Sequence, residues 1–469
     1  MPITTTISLI PGYTPLDTPR LILPFLILYI QAYLLLSRGP SSRWIRIALL
    51  PASLASLKAV WLDRRIVDER YVIWNFVLGC AAVFYAVLSI VYSLLSHGPT
   101  RTPSSGPARD AFHLITSPRM IGWSRGLPLV FDPYPEFEPF SDGGGDGNGN
   151  GGGKHREAET NNGNGHSNGN GNSNGHGTPP TPKPTTTTAA APLTQQQVTA
   201  KTLRIHLEYA LGHYIILDTL TFAFHTLGRR GIGHPRGGSL YASAQPTITY
   251  LSTHLPALFS RFPRTAPWIA MQAHIIVVHL AVGMAFYQGL CFGYHVAACV
   301  GLLVGWGQGG DWQRLMKRPL GADSLVGFWG RRWHQQAFVA PSLLLPARYR
   351  SLASPLIAFS ISSLMHEMGT LTMVGTTSPN WIVTRSFLWM GLGLTAEISF
   401  KKITGRRVHG WWGRIWFWSF VVVAARGLVD AWLQFGVGGA RLLPEWMSVL
   451  QLLRKAGCLD RWLGLLEPL

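Results

Sequence analysis

The stretch Tyr71 to Leu95, YVIWNFVLGCAAVFYAVLSIVYSLL, contains no Asp, Glu, Lys or Arg. A bilayer's hydrocarbon core is about 30 Å thick and a helix rises about 1.5 Å per residue, so about 20 apolar residues cross it. This run is long enough, and in lipid its backbone must satisfy its own hydrogen bonds, which a helix does and an open sheet edge does not. Working outward, similar runs recur at Leu21 to Leu36, Ile45 to Trp61, Tyr209 to Leu227, Ile269 to Gln288, Gly289 to Trp306, Leu352 to Val374, Trp381 to Phe400 and Ile415 to Val437. Ile45 to Trp61 is interrupted by Pro51 and Lys58. A break is expected near Gly289, between two nearly continuous runs. The expected fold is therefore an all-α, polytopic integral membrane bundle of eight or nine transmembrane helices.

Composition agrees. Hydrophobic residues make up 47% of the 469-residue chain and charged residues 13%, where a soluble domain carries about a quarter charged. The net charge of +18 raises the question of nucleic acid. A nucleic-acid binder spreads Lys and Arg over a solvated face. Here they sit between apolar runs, as at Arg43 and Arg46, Arg229 and Arg230, Lys317 and Arg318, Lys401 and Lys402, and Arg406 and Arg407. Membrane proteins concentrate basic residues in cytoplasmic loops in this way, so no nucleic-acid partner is expected. By the same rule the uncharged turn Gly375 to Asn380 is lumenal, and the basic loops Arg331 to Arg350 and Lys401 to Arg414 are cytosolic.

Three of the four cysteines (Cys80, Cys291, Cys299) lie in apolar runs, and no CxxC pair exists, so neither a disulfide framework nor a zinc site is expected. Leu21 to Leu36 follows no basic n-region and cleavage site, and reads as a retained span. The segment from Asp142 is different in kind: DGGGDGNGNGGG, then NNGNGHSNGNGNSNGHG, then TPPTPKPTTTTAAAP. It has almost nothing to bury and reads as a disordered linker, its His155, His166 and His176 included. The chain thus divides into N-terminal transmembrane helices with a cytosolic segment (1–140), a linker (141–198) and a membrane domain (199–469).

Two segments carry the chemistry: Asp311 to Gln335, DWQRLMKRPLGADSLVGFWGRRWHQ, and Ser360 to Gly369, SISSLMHEMG. The block FWGRRWHQ, preceded by Trp312 and by Ala322-Asp323-Ser324-Leu325, resembles the wax-synthase-like branch of the membrane-bound O-acyltransferases. SSLMHE resembles that family's Ser-Gly-x-x-His-Glu helix, with Ser363 where Gly is usual, and Ser117 to Trp123, SPRMIGW, is similar to a motif of fungal members that act on secondary metabolites.

The resemblance implies a membrane-embedded enzyme, multi-pass in the endoplasmic reticulum, with a buried tunnel. It implies transfer of an acyl group, acetyl by the fungal motif, from acyl-CoA to the hydroxyl of a lipophilic acceptor such as a terpenoid. A long-chain wax ester synthase acting on fatty alcohols is the alternative. The expected partners are acyl-CoA, preferably acetyl-CoA, as co-substrate, the acceptor alcohol and membrane lipid, with no permanently bound cofactor.

Esterification needs a base to take the hydroxyl proton as oxygen attacks the thioester carbonyl. His366, an intramembrane imidazole, is the expected base; a packing role is the other reading. Glu367 lies about 100° around the helix from it, free to orient a neighbour or pair with a loop Arg. A zinc-protease HExxH is absent, since position 370 is Thr. His334 is the second catalytic candidate: sterol and diacylglycerol acyltransferases carry Asn at the corresponding place, and it would position the thioester, donate to the oxyanion or hold the loop. Arg331 and Arg332 suit bidentate contact with CoA phosphates, or serve only as topology signals. Trp329 and Trp333 would stack on adenine or anchor the interface. A different class, a bis-His haem protein, is raised by the pairs His206 and His213, and His274 and His279.

Overall fold

In the computed structural model, the described residues are 19–101, 104–116, 123, 195–228, 231–306, 312, 315–316, 318–333 and 347–459. By its contacts the chain divides between residues 1–132 with 195–469 and residues 133–194. The first is described here; the second lies outside the described residues, as do most of the SPRMIGW motif and His334.

Helices dominate the described residues, and the only β pairing among them is a single bridge between Arg101 and Trp123. In order they are α1 (Leu23–Arg38), α2 (Arg43–Leu57), α3 (Val72–Leu94), α4 (Pro107–Thr116), α5 (Gln195–Leu227), α6 (Gln245–His254), α7 (Pro256–Arg261), α8 (Thr265–Leu303), the short turn α9 (Leu325–Gly327), α10 (Ala347–Val374), α11 (Ile382–Thr404), α12 (Gly410–Gln434) and α13 (Val449–Lys455). Among the described residues, four helical runs are long and apolar enough to cross a membrane: Arg20–Leu62, Glu69–Leu94, Thr265–Leu303 and Gly410–Gln434. The expected spans in α5, α10 and α11 are helices too, and these carry more polar side chains.

One expectation changes. The break near Gly289 does not occur: α8 runs uninterrupted for 39 residues, about 58 Å, well beyond the hydrocarbon thickness. Glycine inside a helix costs only about 1 kcal/mol relative to Ala, and packing against α5 along α8 outweighs it. The runs expected at Leu21 to Leu36 and Ile45 to Trp61 are separate helices, and the stretch Arg20–Leu62 folds back on itself between them. Gly39 adopts φ 49° at the end of α1, a left-handed conformation open to glycine, and the Phe25 and Trp61 rings then meet at 5.0 Å.

That hairpin is held by an unexpected group. Arg46, which the sequence suggests as a loop cation, is fully buried. Its guanidinium donates to the carbonyls of Leu95 (2.8 Å), Gly39 (3.2 Å) and Tyr92 and to Ser42 Oγ (3.1 Å). It so satisfies carbonyls at the C-terminal end of α3, where a cation is also favoured by the helix dipole. Gln31 Nε2 donates to Ser93 Oγ (3.0 Å), and Ser89 Oγ donates to Gln31 Oε1 (2.7 Å), completing the polar seam between α1 and α3.

The central packing is α10 between α3 and α11. A Cβ on Gly79 would lie 2.4 Å from Thr372 Oγ1, and one on Gly369 would lie 2.7 Å from the Phe76 ring. Small residues at these two positions let the α3 and α10 backbones approach closely. Thr372 Oγ1 also donates to the Asn75 carbonyl (2.8 Å), so the C-terminal end of α10 lies beside the N-terminal end of α3. At opposite ends of the α11–α12 pair, Trp381 on one side and Trp411 and Trp412 on the other are largely exposed, as indoles at the two faces of a bilayer are. α5 begins at Gln195, inside the last residues of the expected linker.

Candidate active site

SISSLMHEMG forms nearly three turns of α10, and the neighbouring side chains His366 and Glu367 do different things. Glu367 is fully buried. Its carboxylate accepts from the backbone N–H of Ser378 (2.5 Å) and Thr384 (3.1 Å) and from the hydroxyls of Ser378 (3.0 Å) and Thr384 (2.9 Å). It staples the α10–α11 turn to the N-terminus of α11, where the helix dipole favours an anion. Of its two expected roles it takes the orienting one.

His366, about 100° around the helix from Glu367, is half-buried among aromatic rings. Phe387 of α11 stacks on it at 4.0 Å and 24°, and Trp432 of α12 lies at 5.9 Å and 27°. Phe76 of α3 closes a third side at 5.9 Å. Nδ1 lies 2.6 Å from the Ser362 carbonyl. A carbonyl only accepts, so Nδ1 carries the proton and, in a neutral imidazole, Nε2 carries the lone pair. Nε2 has no hydrogen-bond partner among the described residues. The geometry thus fixes one tautomer and leaves its basic nitrogen open. Ser363, standing in the family's Gly position, is buried and returns its hydroxyl to the Ser360 carbonyl (2.7 Å).

The second motif is anchored by a carboxylate that sequence reasoning missed. Glu397 of α11, buried in GLTAEISF, accepts from Leu325 N (2.8 Å), Val326 N (2.9 Å) and Trp416 Nε1 (2.8 Å). Ser324 caps the same turn by accepting from Gly327 N (2.9 Å), and Asp323 accepts from Gly410 N (3.1 Å) at the start of α12. The signal was available: a carboxylate inside an apolar helix is expensive and rarely idle.

From this anchor, α9 runs into one wide π-type turn, Phe328–Arg332, closed by Trp333 N donating to the Phe328 carbonyl (2.7 Å). Trp329 meets Phe359 of α10 edge-on at 5.3 Å, and Trp333 stacks on Phe328 at 5.1 Å and lies 6.5 Å from Tyr287 of α8. Both indoles therefore pack into the core around α10. Arg332 donates to the Arg318 carbonyl (2.9 Å), holding the preceding loop. Of the expected site residues, Trp329 touches α10, at Phe359, two turns from His366; no contact joins Arg332 or Trp333 to His366 among the described residues, and the Arg331 side chain and all of His334 lie outside them.

Of the four histidines behind the haem alternative, three are engaged otherwise, and His279 Nδ1 is buried with no hydrogen-bond partner among the described residues. His206 Nε2 lies 3.0 Å from the Trp312 carbonyl, and its Nδ1 lies 2.7 Å from His295 Nδ1. Axial ligands of one haem iron face each other across it, each about 2 Å from the metal, so two nitrogens this close do not form a bis-His pair. His213 Nδ1 meets Gln288 Oε1 (2.5 Å), and His274 is held at both nitrogens by Ser243 and Thr247 (3.0 Å each). Among the described residues no group of three or more His, Cys, Asp or Glu is arranged to hold a metal.

With this geometry in view, comparison with known proteins is informative. Residues 312–389, which contain both His334 and His366, match the Membrane bound O-acyl transferase family. The chain is also similar to two proteins of Arabidopsis thaliana. One is Acyl-CoA--sterol O-acyltransferase 1, 35% identical over 101 residues, covering 19% of this chain and 29% of the relative. The other is Probable long-chain-alcohol O-fatty-acyltransferase 3, 32% identical over 135 residues, covering 25% and 39%. The chain thus spans well under half the length of each of these relatives. No solved structure matches it.

Proposed function

We propose that this protein is a membrane-embedded O-acyltransferase, which moves an acyl group from acyl-CoA to the hydroxyl of a lipophilic alcohol. The observation that carries the reading is His366: a half-buried imidazole with Nδ1–H tied to Ser362 and Nε2 open, within a segment that matches the acyltransferase family. Nε2 takes the acceptor's hydroxyl proton as the oxygen attacks the thioester carbonyl carbon. The tetrahedral intermediate then expels the CoA sulfur, and the imidazolium returns the proton to give free CoA and an ester. Aromatic walls keep water scarce and so limit thioester hydrolysis. Arg331 and Arg332 are assigned to the CoA phosphates and His334 to the thioester, in an endoplasmic reticulum membrane with a tunnel joining the substrates.

For the finer reading we favour acetyl-CoA as donor and a terpenoid-like secondary metabolite as acceptor, on the SPRMIGW motif. A long-chain donor with a fatty alcohol or sterol is the second reading, favoured by the names of the two plant relatives. Microsomes containing the protein, incubated with labelled acetyl-CoA or labelled long-chain acyl-CoA and a set of candidate alcohols, decide among these. Label is expected in an ester, with acetyl preferred. Label only from the long-chain donor selects the second reading, and no ester from either donor removes the assignment.

A further inference from the structure

Trp432 lies on α12 with its ring beside His366 and edge-on to Phe76 (5.3 Å, 78°), and against Phe286 (4.8 Å, 40°). It is 7% exposed, and among the described residues its indole Nε1–H has no acceptor. Most buried polar groups in folded proteins are hydrogen-bonded, and one left unmade calls for a reason. An indole N–H only donates. The rings that surround it, Phe76 and Phe286, offer nothing better than a π-face. Nearby, His366 presents the complementary deficiency, a lone pair at Nε2 with no donor. A donor without an acceptor and an acceptor without a donor, in one aromatic enclosure, describe a polar ligand with an oxygen to receive a hydrogen bond and a hydroxyl to give one.

We infer that Trp432 is a catalytic residue whose indole N–H hydrogen-bonds the thioester carbonyl oxygen and stabilises the oxyanion formed there. The inference rests on reading His366 as the base. As the acceptor's oxygen bonds to the carbonyl carbon, its proton passes to His366 Nε2 and the C=O electron pair moves onto the oxygen facing Trp432. When the carbonyl re-forms, the C–S bond breaks, the sulfur leaves with its electron pair, and the proton from Nε2 completes CoA-SH. Donors placed in a water-poor site where charge develops are worth far more than in water. The packing of Trp432 against Phe76 and Phe286 fixes its indole before substrate arrives.

The test is Trp432→Phe, which keeps an aromatic ring and removes the donor, run beside wild type with acyl-CoA and an accepted alcohol. The expected result is a fall in kcat per folded enzyme of about 10²-fold, KM for both substrates within about twofold, and an unmoved pH profile. Unchanged kcat overturns the proposal. So does a loss confined to KM, or a shifted pH profile, which would show Trp432 acting through His366 and not on the substrate. If Trp432→Phe does not fold, benzothienylalanine at position 432 replaces N–H by sulfur with the bicycle intact, and the same readouts apply. Wild type making no ester defeats the acyltransferase reading itself; active wild type with an unaffected variant defeats only this inference.

Discussion

Two histidine environments in membrane-length helices, His206 with His295 and His366, differ in their hydrogen bonds. His206 of α5 and His295 of α8 form a closed chain. The Trp312 carbonyl takes the proton on His206 Nε2, so in the neutral state His206 Nδ1 accepts from His295 Nδ1. His213 and Tyr209 stack on the same His295 ring at 5.5 and 5.3 Å. Every function of His206 is occupied in joining α5 and α8 to the loop that opens the matched segment. Among the described residues, His366 is hydrogen-bonded at one nitrogen and has aromatic rings on its other sides. An imidazole in a bilayer is therefore not functional by being there. It is available when the fold spends one of its nitrogens on orientation and withholds partners from the other.

The largest effect expected from breaking this contrast is at His366. His366→Ala should lower acyl transfer by about 10²- to 10⁴-fold, the usual contribution of a general base, with membrane insertion intact; activity near wild type sinks the assignment. His334→Asn should keep partial activity and His334→Ala less, if that position supplies a hydrogen bond. Next comes Glu367→Ala, which strips four hydrogen bonds from one buried carboxylate. Each buried donor left unpaired costs about 1–3 kcal/mol, so the protein should melt markedly earlier in detergent or fail to accumulate. Unaltered melting would show the α10–α11 turn to be held by something else.

A smaller, selective effect is expected at the arginine pair. Arg331→Ala with Arg332→Ala should raise KM for acyl-CoA severalfold and leave KM for the alcohol alone. The loop role of Arg332 adds a modest loss of stability, measurable by the same melting assay. If KM for acyl-CoA is unmoved, these residues mark topology and not the CoA phosphates. The least effect is expected from deleting Gly143 to Thr188. Loop-closure entropy changes by only about 0.6 kcal/mol per doubling of length, so turnover should stay within about twofold. Loss of activity in a deletion that inserts normally would give this tract a functional role.

Much of this was legible in the sequence because lipid imposes a simple rule on apolar runs. Val72–Leu94, Ala347–Val374, Ile382–Thr404 and Gly410–Gln434 fall close to the ranges expected for them. The α8 break was misread because glycine's weak helix propensity is a small local term, outweighed by packing over a long interface. Of the site, His366 was visible as a polar residue in the wrong solvent and as part of SSLMHE. Its enclosure was not, since Phe76, Phe387 and Trp432 come from three other helices and no spacing rule joins them. The roles of the carboxylates were equally non-local: Glu367 closes a turn eleven residues on, and Glu397 reaches back to Leu325 and Val326. Arg46 misled because a basic residue beside a helix end looks the same in sequence whether its guanidinium meets water or carbonyls.

The most direct measurement sets the two histidines against each other in one preparation. His366→Gln and His206→Gln are purified beside wild type, and each is assayed for thermal melting and for ester formed per folded molecule. His366→Gln is predicted to melt like wild type and to lose at least about 10²-fold in turnover. His206→Gln is predicted to melt several degrees lower, since it unpairs the Trp312 carbonyl or His295, with turnover per folded molecule within about twofold of wild type. Normal turnover in folded His366→Gln, or a catalytic loss in His206→Gln as deep as that expected at His366, would contradict the account.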